Sequence, residues 1–87
     1  MNVGYKVEIR QKEPDMKSAV VVWSRYLDTM PSAMIAALQG VVAMHERLGY
    51  PDDRALGIDL DCARGWNPRT APITIERGSF TLIAKGN

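Results

Sequence analysis

The feature that most constrains this 87-residue chain is a stretch of helical sequence whose two ends can both be located. Asp28 or Thr29 can accept hydrogen bonds from the free amide groups of a first helical turn. Pro31 suits that turn because it has no amide hydrogen to leave unpaired. At the other end, Gly49 can take the left-handed conformation that closes a helix. These signals predict a helix over residues 31–48.

Apolar side chains cover about 200° of the predicted helix, roughly twice the stripe that a surface helix needs to pack on one layer. A single sheet therefore covers only part of this apolar arc, whose margins are formed by Ile35, Val42 and Met44. Three explanations are open for what covers the apolar side chains that the sheet does not reach. The connection over residues 51–72 folds back onto the helix with Leu56 and Trp66 as anchors, or the helix forms a homodimer, or it offers a groove to a different protein.

Two strands precede the helix. Residues 3–12 alternate between the two faces of a strand, with Val3, Tyr5, Val7 and Ile9 on one face and Lys6, Glu8, Arg10 and Lys12 on the other. That alternation predicts an antiparallel strand with one buried face. A second strand is predicted over residues 19–27, joined to the first by a loop of about six residues. Its run from Val20 to Trp23 is apolar on both faces, which is typical of a strand inside a sheet or covered on its second side.

The chain after the helix is predicted to return to β structure. Residues 56–62 fit a short strand with Ile58, Leu60 and Cys62 facing inward, and residues 64–69 contain the glycine and proline of a loop. Residues 73–76 and 80–85 fit a hairpin that turns at Gly78. The order is β-β-α-(β)-β-β. It predicts one α+β domain over residues 1–87, with two layers: a four- or five-stranded mainly antiparallel sheet and one long helix.

Composition narrows the class of protein. The chain is 46% hydrophobic and 24% charged, which is ordinary for a globular domain. A formal net charge of +1 excludes a polyanionic mimic of DNA and a strongly basic nucleic-acid binder. The single cysteine excludes an internal disulfide and a cysteine cluster for zinc. No apolar signal core and no span of 18 or more apolar residues occurs, so we expect a cytoplasmic protein without membrane contact.

The residues that could carry chemistry do not form a recognisable set. His45 is the only histidine, and no serine or cysteine is placed to act as its nucleophile, so we expect a structural histidine and no enzyme activity. Cys62 is interpreted as a small apolar filler. No cofactor is predicted, because the glycines form no phosphate-binding loop.

Four aspartates lie within ten residues, and their carboxylates could attract a hard cation such as Mg²⁺. They are Asp52, Asp53, Asp59 and Asp61. Asp-x-Asp spacing is common by chance, and Arg54 and Arg64 lie close enough in sequence to neutralise part of the charge. We therefore expect solvated acids paired with arginine, and keep a small homodimeric domain with an acidic metal site as an alternative.

Two groups of residues are candidates for binding a macromolecule. The candidates for a protein partner combine arginine and aromatic residues, which are enriched at interaction hot spots, with the acids beside them: Arg64, Trp66, Arg69, Tyr50, Asp52 and Asp53. The candidates for nucleic acid form a basic row on the first hairpin: Lys6, Arg10, Lys12 and Arg25. Trp66 could alternatively anchor its loop in the core.

These observations favour a small non-enzymatic protein-binding module. The chain lacks a catalytic set, has almost no net charge, and carries more apolar surface on its helix than one sheet can cover. Inhibitors encoded by phages and mobile elements, anti-CRISPR proteins among them, have this size, which makes an inhibitor of a host protein complex one form of the prediction. A nucleic-acid-binding accessory protein that uses the basic face of the first hairpin is the alternative.

Overall fold

The computed structural model describes residues 4–86, and over this range the chain forms four strands and two helices. The elements are β1 (Tyr5–Gln11), β2 (Val20–Leu27), α1 (Met30–Leu48), α2 (Asp53–Arg64), β3 (Ile73–Arg77) and β4 (Phe80–Gly86). The strands form one antiparallel sheet in the order β2-β1-β4-β3. The α+β class and the antiparallel sheet are confirmed. The predicted start of the first strand at Val3 lies outside the described residues.

The core lies between one face of the sheet and the two helices. The alternation in β1 is confirmed, because Tyr5, Val7 and Ile9 are all buried. Leu82 and Ala84 of β4 are buried as well, and α1 crosses β1, β2 and β4 with a face of small and apolar residues. The buried residues of that face are Ala33, Ala36, Ala37, Gly40, Val41 and Met44.

The ends of α1 are those that the sequence predicts, with the helix beginning one residue earlier at Met30. The backbone amide of Ser32 donates a hydrogen bond of 3.2 Å to the Thr29 hydroxyl oxygen. Gly49 closes the helix at a φ of 78°, a left-handed conformation that favours glycine. Local capping chemistry therefore fixes both ends of this element.

Gly40 allows α1 to lie close to the sheet. A Cβ at this position would sit 2.9 Å from Leu82 Cδ1 and 3.2 Å from side-chain carbons of Trp23 and Val7. A glycine inside a helix costs about 1 kcal/mol relative to alanine. Here that cost accompanies a contact between helix and sheet that a larger residue would disturb.

The predicted strand over residues 56–62 is wrong, because this segment lies inside the helix α2. Two patterns compete in the segment: the alternation of Ile58, Leu60 and Cys62 fits a strand, while Leu56, Leu60 and Ala63 have helical spacing. The helical pattern prevails, and Ile58 and Cys62 are exposed instead of facing inward. The fold therefore has two helices where one was predicted.

The β2 strand lies at the edge of the sheet, which excludes the interior position, one of the two explanations given for its apolar run. Val20 and Val21 are 47% and 51% exposed. The pairing with β1 shifts after Ile9, which faces Trp23, so that Arg10 faces Val21 and the intervening valine has no partner. Such a bulge bends and twists an edge strand, which discourages pairing with another chain.

Candidate functional site

One carboxylate in the helical layer is almost completely buried. Asp59, on the inner side of α2, is 2% exposed. Its Oδ2 accepts hydrogen bonds from His45 Nε2 at 2.7 Å and from Arg77 Nε at 2.8 Å. Its Oδ1 accepts a third from Arg77 Nη2 at 2.9 Å. This buried cluster of Asp59, His45 and Arg77 joins α1, α2 and the end of β3.

Electrostatics keep the buried carboxylate ionised. Burial raises the pKa of Asp59, but the hydrogen bonds and charges of Arg77 and His45 outweigh it, and the net pKa lies below the ordinary value. The hydrogen bond and charge of Asp59 in turn raise the pKa of Arg77. Since the carboxylate only accepts, the contact with His45 requires a proton on Nε2.

The lowered pKa makes the stability contributed by Asp59 dependent on pH. A group whose pKa falls on folding stabilises the native state above its ordinary pKa, here 3.8, and loses that contribution as the pH falls through the folded value. We expect wild type and an Asp59→Asn variant to differ most above pH 5 and to converge toward pH 2. Urea midpoints measured between pH 7 and pH 2 test this, and a constant gap would contradict it.

The buried cluster has the geometry of a structural tie between elements. Asp59 accepts three hydrogen bonds from side chains of this chain, which occupies both of its oxygens. Among residues 4–86, no group of three or more histidine, cysteine, aspartate and glutamate side chains is placed to hold a metal ion. His45 pairs with a carboxylate of its own chain, and its structural role remains a prediction.

The other three aspartates of the predicted acidic group are exposed. Asp52 begins α2, where its Oδ1 accepts a hydrogen bond from the amide of Ala55, and Asp53 lies in the first turn. Asp61 pairs with Arg64 at 2.9 Å, and both side chains are mostly exposed. Sequence reasoning anticipated the pairing with Arg64 but missed Arg77, because nothing local links residues 59 and 77.

The second candidate site is an apolar surface on the outside of the helical layer. We call it the interhelical surface and define it as Ile35, Leu38 and Val42 of α1 with Leu56 and Leu60 of α2. Of the three residues predicted at the margins of the apolar arc, Met44 is fully buried in the core. Ile35 and Val42 nevertheless remain 56% and 42% exposed. The connection that folds back over α1 therefore leaves an apolar strip uncovered.

Two shallow depressions of ≈ 420 and ≈ 430 Å³ lie along the interhelical surface. Val42 and Glu46 line both of them, so the depressions meet at these two residues. The first is also lined by Tyr50, Asp52 and Asp53, and the second by Arg64. Four of the six predicted partner-binding residues thus lie around one continuous surface.

The remaining two predicted partner-binding residues lie elsewhere. Trp66 is 3% exposed and belongs to the core, as the anchoring alternative proposed. Its indole Nε1 is buried and has no hydrogen-bond partner within residues 4–86. Arg69 is exposed on the loop after α2 and does not line either depression.

The basic row predicted for nucleic acid is divided between the two faces of the sheet. Lys6 and Arg10 point away from the helices and contact the buried Glu8 at 3.3 and 2.9 Å. Arg25 lies over the ring of Trp23, 4.5 Å from its centroid, and Trp23 faces the core. Lys12 donates a hydrogen bond to the carbonyl of Met16 in the loop after β1.

No family model matches the chain, and neither a curated protein nor a solved structure matches it. Within residues 4–86, neither helix combines the length and apolar character needed to cross a membrane.

Proposed function

We propose that this chain is a small non-enzymatic protein-binding module and that it docks its partner on the interhelical surface. The observation that carries the proposal is the uncovered apolar strip on α1. Ile35, Leu38 and Val42 occupy positions i, i+3 and i+7, so they form one stripe beside α2. Apolar patches of this kind on a folded domain mark interaction sites.

The shape of the surface favours an amphipathic helix as the occupant. The two depressions follow the groove between α1 and α2, and the stretch of α1 from Leu38 to Leu48 corresponds to roughly 15 Å of helix axis, about three turns. Helices that dock in grooves use apolar anchors at i, i+3, i+4 and i+7 over such a length.

Charged residues around the groove favour one orientation of the bound helix. Asp52 and Asp53 line one end, Arg64 lines the other, and Glu46 lies between them where the two depressions meet. A partner helix with basic residues toward the acidic end would gain favourable contacts in one orientation and repulsion in the other. A second copy in antiparallel orientation would place its Arg64 against the same acidic end, so the oligomeric state has to be measured to separate the two occupants.

Within this class, the form of function that we propose is inhibition by occupying the surface of a host protein complex in the cytoplasm, as phage-encoded anti-CRISPR proteins do. Support comes from size and from the absence of an evident reaction site among the described residues. In this 9.7 kDa chain the two buried carboxylates of residues 4–86, Asp59 and Glu8, are both held by side chains of the same chain, so it can act by covering another protein.

A charged residue in the groove is expected to abolish partner binding without unfolding the chain. Val42→Glu places a carboxylate at the meeting point of the two depressions. Ile58→Glu is the matched control, because Ile58 is an exposed apolar residue of α2 that lines neither depression. Affinity purification from lysate of the native host, followed by mass spectrometry, should recover the same partner with wild type and Ile58→Glu and lose it with Val42→Glu.

Two results would contradict this proposal. One is recovery of the same partner by Val42→Glu at the wild-type level, and the other is no partner above background with wild type. Light scattering after size exclusion distinguishes the homodimer alternative from binding of a different protein. A wild-type dimer that Val42→Glu converts to a monomer would assign the surface to a second copy of this chain.

A further inference from the structure

The face of the sheet opposite the helices carries a second surface of different chemistry. We call it the open sheet face and define it as Lys6, Glu8 and Arg10 of β1, Tyr26 of β2, and Lys85 of β4. The residues of β1 that face the core alternate with these, and α1 packs on the other side, with α2 beside it. No element within residues 4–86 covers this face.

Charge on the open sheet face is arranged around one buried carboxylate. Glu8 is 3% exposed although no helix covers it, because Lys6 and Arg10 close over it from either side at 3.3 and 2.9 Å. Burial raises the pKa of Glu8, but the hydrogen bonds and charges of Lys6 and Arg10 outweigh this effect. The net pKa lies below its ordinary value, so the carboxylate stays ionised. The pairing of Glu76 with Thr81, and of Thr81 with Arg10, places a second carboxylate on the same face, so three cations and two carboxylates leave a local charge of +1.

An exposed aromatic ring lies in line with two of these cations. Tyr26 is 74% exposed, and its partner across the β1–β2 pairing is Lys6. On the other side, Lys6 pairs with Lys85 of β4. The row Tyr26–Lys6–Lys85 therefore crosses three adjacent strands at intervals of about 4.8 Å.

We infer that the open sheet face binds single-stranded nucleic acid, with Tyr26 stacking on a base and Lys6 and Lys85 contacting phosphates. Bases of a single strand are free to stack on an aromatic side chain, whereas those of a duplex are stacked on one another. A sheet surface with an exposed ring beside cations is complementary to that chemistry. The inference is independent of the proposed function, because the interhelical surface lies on the opposite layer.

Fluorescence anisotropy with fluorescein-labelled oligothymidylate and oligouridylate of about 20 nucleotides tests the inference. Tyr26→Ala removes the ring on which one base stacks and should weaken binding about 5- to 100-fold. Lys85→Glu should weaken binding and reduce the dependence of affinity on salt between 50 and 200 mM. The control is Lys17→Glu, which makes the same charge change on the exposed loop before β2 and should leave affinity within about twofold.

The inference falls if wild type fails to bind either oligonucleotide at 50 mM salt, or if Tyr26→Ala binds as tightly as wild type. Binding of heparin equal to that of the oligonucleotides, unchanged by Tyr26→Ala, would identify a site for any polyanion and also overturn it. Val42→Glu should bind nucleic acid like wild type. Loss of binding in that variant would place the nucleic acid on the helical layer and contradict the assignment to the sheet.

Discussion

Replacing Asp59 with alanine is expected to lower the free energy of unfolding by about 3 kcal/mol. Breaking a buried ion pair by removing one partner costs about 3–5 kcal/mol, because the remaining groups lose their acceptor. Here His45 and Arg77 both lose the oxygens that they contact at 2.7 to 2.9 Å. The Arg77 side chain is 33% exposed and can turn toward water, which puts the expected cost at the lower end of the range.

Urea unfolding followed by circular dichroism measures this effect. The matched control is Asp61→Ala, on the same helix two residues later, where the carboxylate pairs with Arg64 in solvent and both side chains are more than half exposed. An exposed pair contributes about 0–1 kcal/mol. Equal losses for the two variants would show that the buried cluster does not stabilise the fold more than a surface pair does.

The second large effect is expected at the contact between α1 and the sheet. Leu82 is fully buried on β4 beneath Gly40, so Leu82→Ala should cost about 2–5 kcal/mol through lost burial and the cavity left behind. The free energy of unfolding, again from urea titration, gives the value directly. A loss below 1 kcal/mol would contradict the packing described here.

Gly40→Ala tests whether a side chain at position 40 competes with Leu82 for the space between α1 and the sheet. In wild type the new methyl group would lie 2.9 Å from Leu82 Cδ1, so steric strain opposes the gain in helix propensity of about 1 kcal/mol. In the Leu82→Ala background the same methyl group enters the vacated space, and Gly40→Ala should be more stabilising there. Gly57→Ala on α2 is the control, because open space surrounds that position and its effect should be the same in both backgrounds. Additivity of Gly40→Ala and Leu82→Ala would contradict a shared contact.

The elements that sequence predicted well are those with local signals. The helix α1 was placed to within one residue because Thr29 and Gly49 mark its ends, and β1 was placed by its strict alternation. The helix α2 was missed because Asp59, a charged residue, occupies its inner face and interrupts the apolar pattern. Its N-cap, Asp52, was assigned to the acidic group instead of to the start of a helix.

The candidate sites also divide into residues that the sequence predicted and contacts that depend on the tertiary fold. Tyr50, Asp52, Asp53 and Arg64 gather around the interhelical surface because α2 packs beside α1, although the reason given for them from sequence was residue type. The contact of Asp59 with Arg77 spans 18 residues, and the pairing of Lys6 with Lys85 depends on β4 lying next to β1. Both follow from strand order and helix packing, which a single sequence does not specify.

The two-layer arrangement has a consequence for what the chain can connect. The interhelical surface and the open sheet face point in opposite directions, so an occupant on one does not displace an occupant on the other. The shortest dimension of the chain is 17 Å, measured between Cα atoms. Two macromolecules held on opposite sides of so thin a body would meet at the high effective concentration that tethering produces. In that capacity the chain would act as a rigid adaptor between a protein helix and a nucleic-acid strand.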